Sequence, residues 1–241
     1  MNMERVAVIT GGSQGIGRAV MYALLEEGMK VVSLARNQQN LNLVLDSVLP
    51  KYKDSVMGIQ TDVRNEGEVH NAIEQVMSAH GRIDYLINSA GVSMREKQSL
   101  QDTDVEEWRS MIDINLTGTY LMSREVIPRM MERDFGYIIN ILSTASFRTG
   151  AGNSLYCASK YGARALTESM IEENRRSGIR VTAVSPGPVD TTIWNHKKEQ
   201  ITEDNRSTML KADDIANIIT YLIHLPSRVH IDNITVTPWH R

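Results

Sequence analysis

The sequence predicts one doubly wound α/β domain, a seven-stranded parallel sheet with helices on both faces. Three observations carry this. Short β-branched runs alternate with longer segments of helical period, several of the runs are apolar on both faces, and Gly28, Gly81 and Gly178 stand just ahead of a run. The alternation marks βαβ units wrapped around a parallel sheet. A strand apolar on both faces needs cover on both sides. Glycine ahead of a strand ends the preceding helix by taking the left-handed conformation.

In chain order the strands are expected at residues 5–10, 30–35, 55–61, 83–88, 136–142, 179–184 and 233–237. An amphipathic helix follows the first strand through residue 27, and Asn65 with Glu68 three residues on reads as a capping box for the third helix. The longest helices are expected from Thr103 to Met131 and from Asn153 to Arg176, the second closing on Arg175 and Arg176, where cations offset the negative end of the helix dipole. Residues 192–210 are polar, charged and poorly periodic. They break the rhythm before the last helix and are expected to form a mobile substrate flap. With no linker and no internal repeat, residues 1–241 read as one domain.

Composition narrows the function classes. At 41% hydrophobic and 23% charged residues the chain is ordinary globular material, and a net charge of -3 gives no field to draw it to nucleic acid or an anionic membrane. Cys157 is the single cysteine, so no internal disulfide can form, and it is assigned a packing role only. The six histidines show neither HExxH nor paired Cys/His spacing, so no metal site is expected. The first strand begins too early for a signal peptide and no apolar run is long enough to span a bilayer, so a cytoplasmic location is expected.

Directly after the first strand comes Thr10-Gly11-Gly12-Ser13-Gln14-Gly15-Ile16-Gly17, opening a helix. Glycines at such a turn let the backbone approach a pyrophosphate while the helix N-terminus stabilises the anion. The spacing Gly11-x3-Gly15-x-Gly17 departs from GxGxxG, and the bland alternative is a tight strand-to-helix connection. In a Rossmann-type dinucleotide fold the end of the second strand reads the adenosine ribose, an acid holding a 2′-hydroxyl and an arginine a 2′-phosphate. Here Ala35-Arg36 stands there with no acid, which favours NADP(H) over NAD(H); the alternative is a solvated surface arginine.

Tyr156 and Lys160 are four residues apart and share a helix face, and Ser143 lies just beyond the fifth strand, at the carboxyl edge where ligands bind in open α/β sheets. Alone, a YxxxK pair is more often an exposed aromatic–cation contact. Its context changes that reading. TGGSQGIG at 10–17, Asp62-Val63, Asn88-Ser89-Ala90-Gly91, Asn115, Ser143, YCASK at 156–160 and Pro186-Gly187-Pro188-Val189-Asp190-Thr191 occur in this order. Together they resemble the short-chain dehydrogenase/reductase family over nearly the whole chain, with Ser89 a departure where members often carry a second Asn.

The resemblance implies an oxidoreductase interconverting a carbonyl and an alcohol with NADP(H), on a small-molecule substrate. It implies Tyr156 as general acid or base, a role for which a free phenol, with pKa near 10, is too weak an acid. Lys160, with the positive nicotinamide of the oxidised cofactor, is expected to favour the phenolate and to hold the nicotinamide ribose. Ser143 is expected to donate to the substrate oxygen and Asn115 to hold a water of the proton relay, a reading compatible with a satisfied buried amide. By the same resemblance, Gly11, Ser13, Gln14, Gly15, Ile16 and Gly17 hold the pyrophosphate, and Asp62 and Val63 the adenine region. The turn from Asn88 through Ala90 and Gly91 stabilises the central sheet and the bound adenosine, while Pro186, Gly187, Val189 and Thr191 wrap the nicotinamide. A homotetramer or homodimer is expected. The ending Ile234-Thr235-Val236-Thr237-Pro238-Trp239-His240-Arg241 resembles general carbonyl and 3-hydroxy-acid dehydrogenases rather than 3-oxoacyl-acyl-carrier-protein reductases, which stay open as an alternative. A non-catalytic NADP(H)-binding sensor or scaffold is the alternative of another class.

Overall fold

Alternate residues of the central strands face opposite layers of helices, and this fixes the architecture. The computed structural model describes residues 4–198 and 200–239; Glu199, inside the expected flap, and His240 and Arg241 of the C-terminal ending lie outside them. The chain runs β1 (Val6–Thr10), α1 (Gly15–Glu26), β2 (Lys30–Ala35), α2 (Gln38–Ser47), β3 (Val56–Gln60), α3 (Glu66–His80) and β4 (Tyr85–Asn88). It continues through α4 (Val105–Ile112), α5 (Gly118–Met131), β5 (Gly136–Ile141), α6 (Ser154–Asn174), β6 (Ile179–Pro186) and β7 (Val189–Asp190). Then come α7 (Glu203–Ser207), β8 (Leu210–Lys211), α8 (Ala212–His224) and β9 (Asn233–Val236).

Seven strands form one parallel sheet in the order β3-β2-β1-β4-β5-β6-β9, with Val8 of β1 opposite Val32 on one side and Leu86 on the other. Strand order reverses between β1 and β4, which leaves a crevice at their carboxyl ends. On one face Val8, Leu86 and Ile138 pack under Ile73 and Val76 of α3, Met122 and Val126 of α5, and Met170 of α6. On the other, Ile9, Ile87 and Ile139 pack under Val20, Met21 and Leu24 of α1 and Ile215 and Ile219 of α8. The expected doubly wound Rossmann fold is therefore present as a single domain. Among the described residues, no helix is long and apolar enough to cross a membrane.

Local departures have physical reasons. The helix stops at Gly28, Gly81 and Gly178 do adopt positive φ, at 76°, 66° and 75°. The capping box is only half made: Asn65 Oδ1 accepts from the Glu68 amide at 3.1 Å, but the Glu68 carboxylate reaches back to the Asp62 amide at 2.8 Å. The helix expected from Thr103 is capped by Asp104, and a π-helical turn at Asp113–Thr117 divides it into α4 and α5. Arg175 and Arg176 lie just past α6, where Arg175 pairs with Glu172 at 2.6 Å. The 192–210 segment is not featureless. It holds a turn of 3₁₀ helix at Thr192–Trp194 and α7, and Leu210 and Lys211 pair in parallel with Val189 and Asp190.

Candidate active site

The crevice is built from the strand ends on either side of the β1/β4 reversal. Gly15 has φ of +53°, and a Cβ there would stand 3.3 Å from Thr191 Cβ; a Cβ on Gly17 would fall 2.5 Å from the Gly11 carbonyl oxygen. Any other side chain at these positions would push the turn off α1 or off Thr191. Gln14 precedes α1 without a side-chain cap, so no side chain claims the first-turn N–H groups there. Gly11, Ser13, Gln14, Gly15 and Ile16 line a cavity of about 640 Å³ together with Arg36, Asp62, Val63, Ala90, Gly91 and Thr191. Its size and its ready-made anion site fit a nucleotide.

At the ribose end, Arg36 is exposed, and among the described residues its guanidinium makes no hydrogen bond. Asp62 lines the same cavity. Its carboxylate is gripped by Arg64, with Nε at 2.9 Å and Nη2 at 2.5 Å, and this hydrogen bonding, helped at longer range by Arg36, holds its pKa below the usual carboxylate range. Two expected cofactor residues do not line the crevice at all. Gly17 is buried under the turn, and Asn88 points inward, its Nδ2 donating to Asn140 Oδ1 at 2.9 Å and Ser123 Oγ at 3.2 Å. Asn140 passes the chain on to Thr167 Oγ1 at 2.9 Å, so Asn88 ties β4 to β5 and α6.

A second cavity of about 330 Å³ adjoins the first and shares Ile16, Ser89, Gly91, Val92, Thr191 and Ile193 with it. Ser143, Tyr156, Lys160, Pro186, Gly187 and Val189 line it. Ser143 leaves the end of β5 in extended conformation, its Oγ accepting from the Ala145 amide at 3.1 Å, and it lines the cavity beside Tyr156. Lys160, one helical turn beyond Tyr156, is 5% exposed and donates from Nζ to the Ile141 carbonyl at 3.1 Å.

Burial dominates the electrostatics of this pair. It raises the Tyr156 phenol above its ordinary pKa, the neighbouring Ser143 hydroxyl opposing it, and lowers Lys160 to about 8. The Lys160 ammonium lies 6.0 Å from the Tyr156 ring centroid, and at that separation desolvation outweighs the attraction that would favour a phenolate. Asn115 does not reach the cavity. It sits in the π turn, where Oδ1 accepts from the Val92 amide at 2.8 Å and Nδ2 donates to the Val92 carbonyl at 3.0 Å and Ser159 Oγ at 2.9 Å. Both Nδ2 hydrogens are donated and Oδ1 accepts once, so the amide fixes the loop after β4 to α6.

The flap is docked by contacts the sequence does not announce. His196 Nε2 and the Ser93 carbonyl are 2.7 Å apart, the Lys198 amide donates to the Arg95 carbonyl at 3.0 Å, and Trp194 Nε1 donates to the Val189 carbonyl at 2.7 Å. At its far end Asp190 holds Arg206 at 2.7 Å and Lys211 at 3.0 Å. One metal-like cluster occurs among the described residues, His70, Glu74 and Glu125, away from the crevice. Arg129 lies 2.7 Å from Glu74 and 2.8 Å from Glu125, so a side-chain cation already fills that position.

A sequence profile described as short chain dehydrogenase matches residues 5–202. An uncharacterized oxidoreductase of Staphylococcus aureus strain MW2 is 37% identical over 237 residues, covering 98% of this chain and 97% of its own. The chain belongs to the short-chain dehydrogenase family. Among solved structures, this short-chain dehydrogenase is similar to a metagenomic short-chain oxidoreductase in complex with NADP, at a TM-score of 0.85 and 30% identity over 100% of both chains. It is also similar to a 3-ketoacyl-(acyl-carrier-protein) reductase from Brucella melitensis complexed with NADH, at a TM-score of 0.87 and 26% identity over 98% of each chain. Sequence reasoning missed Met94, Glu96, Lys97, Trp194 and Lys197 on the wall of the smaller cavity. No motif marks them, because they meet only through the pairing of the 93–98 loop with the flap.

Proposed function

We propose that this short-chain dehydrogenase interconverts a carbonyl and an alcohol with NADP(H), using Tyr156 as general acid and base. The observation that carries the reading is that Ser143, Tyr156 and Lys160 together line a cavity of about 330 Å³ that opens into a nucleotide-sized one. The glycine cradle and the uncapped start of α1 would hold the pyrophosphate, with Arg36 at a 2′-phosphate and Thr191, Pro186, Gly187 and Val189 around the nicotinamide. When bound, the nicotinamide donates or accepts the hydride.

The residues of the chain handle the proton. Tyr156, kept protonated by its surroundings, gives its hydroxyl proton to the carbonyl oxygen in reduction and recovers it in the reverse direction. Ser143 donates to the same oxygen as negative charge develops there. Lys160, held by the Ile141 carbonyl, stands one turn away as the nearest cation. Asn115 acts by fixing Val92, and with it the loop that forms one wall of the site. Arg36, unclaimed by any acid, supports NADP(H). The metagenomic relative bound to NADP supports the same choice, whereas the Brucella enzyme was solved with NADH.

Mixing the protein with NADPH or NADH and a panel of ketones, aldehydes, ketoesters and a 3-oxoacyl thioester, and following loss of reduced-nicotinamide absorbance, tests the reading. Turnover with NADPH supports it. Cofactor binding without turnover of any carbonyl would favour the sensor or scaffold, and thioester turnover far above all others the acyl-carrier-protein reductase.

Residues 192–210 would act as the substrate flap of this single domain. We further propose a homotetramer or homodimer, since α4, α5 and α6 leave Val105, Trp108, Tyr120 and Tyr161 exposed.

A further inference from the structure

Lys197 is an ammonium that pairs with no acid among the described residues, partly buried at the wall of the smaller cavity. Its Nζ donates to the Met94 carbonyl and lies 5.6 Å from the Trp194 ring centroid. An ammonium carries three donors. Among the described residues no carboxylate takes the other two. Glu96, on the same wall, is engaged by Lys198 at 3.0 Å and by Gln98 at 3.0 Å. Glu107, which attracts Lys197 at longer range, accepts the Arg95 amide at 2.9 Å.

Lys97 lies on the same wall and repels Lys197. Burial pulls the Lys197 pKa down, Glu107 opposes it at longer range, and Lys97 adds a smaller repulsion. A partly buried ammonium with open donors beside a cavity, and a second lysine on the same wall, gain when an anion enters. The flap carries Lys197 to this place. It would serve as well with an apolar side chain if its only task were to cover a neutral substrate.

We propose that Lys197, with Lys97 at the rim, receives an anionic group of the substrate, so that the enzyme prefers oxo acids and the matching hydroxy acids to neutral carbonyl compounds. This rests on the assignment of the smaller cavity as the place of carbonyl–alcohol exchange. A charge-assisted hydrogen bond to the carboxylate corresponds to a preference of about tenfold to a hundredfold.

The test compares parent, K197M, K197R and K97M. Each is assayed with NADPH on short 2-oxo and 3-oxo acids and on their methyl esters. Each is also titrated with butyrate and with butyramide while Trp194 fluorescence is followed, the signal being assigned by its loss in W194F. The parent should favour the acids at least tenfold in kcat/KM. K197M should lose that preference mainly through the acid's KM, with a smaller change on the ester, K197R should restore most of it, and K97M should show a weaker loss. Butyrate, not butyramide, should quench the parent, and K197M should weaken that binding by a similar factor.

Equal use of acid and ester by the parent overturns the anion site while leaving carbonyl reduction standing. Equal losses on both substrates in K197M also overturn it, because they mark Lys197 as a clasp that only docks the flap. Lys197-dependent butyrate binding in a protein that reduces no carbonyl keeps the anion site and discards the redox reading. Absence of both butyrate binding and acid preference overturns the proposal outright.

Discussion

A phenol that burial keeps protonated can give up its proton only to a strong acceptor held within hydrogen-bond reach, which is why Tyr156 matters through its oxygen rather than its ring. Tyr156→Phe should cut turnover by roughly 10² to 10⁴ while leaving NADPH binding nearly intact, measured by steady-state rates beside a fluorescence titration. Lys160 gives a second test. Its pKa is about 8 in the fold against an ordinary 10.5, so the unfolded chain holds more protons between those values and stability rises with pH across that window. Urea midpoints of the ligand-free protein should climb from pH 8 towards 10.5, and Lys160→Met should flatten the climb. Arg36 sets the third: Arg36→Leu should weaken NADPH binding about ten- to a hundredfold and leave NADH nearly unchanged, and the parent's discrimination should shrink as salt rises. These residues were legible because each stands beside a local marker: a glycine turn, a strand end, an i,i+4 pair. The environment of Tyr156 was not, because it packs with Val92 and Met94 of the loop after β4 and Met111 of α4, far away in sequence.

At the scale of elements, the break between α4 and α5 shows how a helix can serve a loop. The π turn puts Asn115 opposite the Val92 backbone and Ser159, and a regular helix from Thr103 to Met131 would not carry that irregularity. Apolar periodicity reads straight through a single inserted residue, so the sequence predicted one long helix. Asn115→Leu should leave the Val92 amide and carbonyl unpaired and destabilise the fold by about 1 to 3 kcal/mol per unsatisfied group, seen as a lower thermal midpoint together with a lower kcat. The flap poses the reverse case, a segment read as irregular that is pinned at both ends. Asp190, its carboxyl held below the usual range by Lys211 and Arg206, keeps that pin charged down to acid pH. The pin is lost only as pH falls through that depressed value. Asp190→Asn should loosen residues 192–210 at neutral pH, raising KM and opening the segment to limited proteolysis, with little change in global stability.

For the whole molecule, the seven-stranded parallel sheet and both helix layers followed from alternation and helix stops, whereas the strand order and its reversal between β1 and β4 came from the structure. What the helices do on their outer sides did not, since the same apolar residue types serve core and interface. Light scattering at micromolar concentration should give a dimer or tetramer mass, and Trp108→Glu with Tyr161→Glu should reduce it. A monomeric parent would remove the assembly proposal.

The wall common to the two cavities, Ile16, Gly91, Val92, Thr191 and Ile193 among its members, also sets the order in which ligands arrive. A molecule filling the larger cavity completes one side of the smaller, so the second ligand meets a finished surface only after the first is in place. Steady-state kinetics should therefore be compulsory-order: the oxidised nucleotide competes with the reduced one at any substrate concentration, whereas the alcohol product inhibits noncompetitively against the nucleotide. A random-order pattern, with the carbonyl substrate binding equally well to the nucleotide-free protein, would mean that the shared wall is rigid enough to be finished without an occupant.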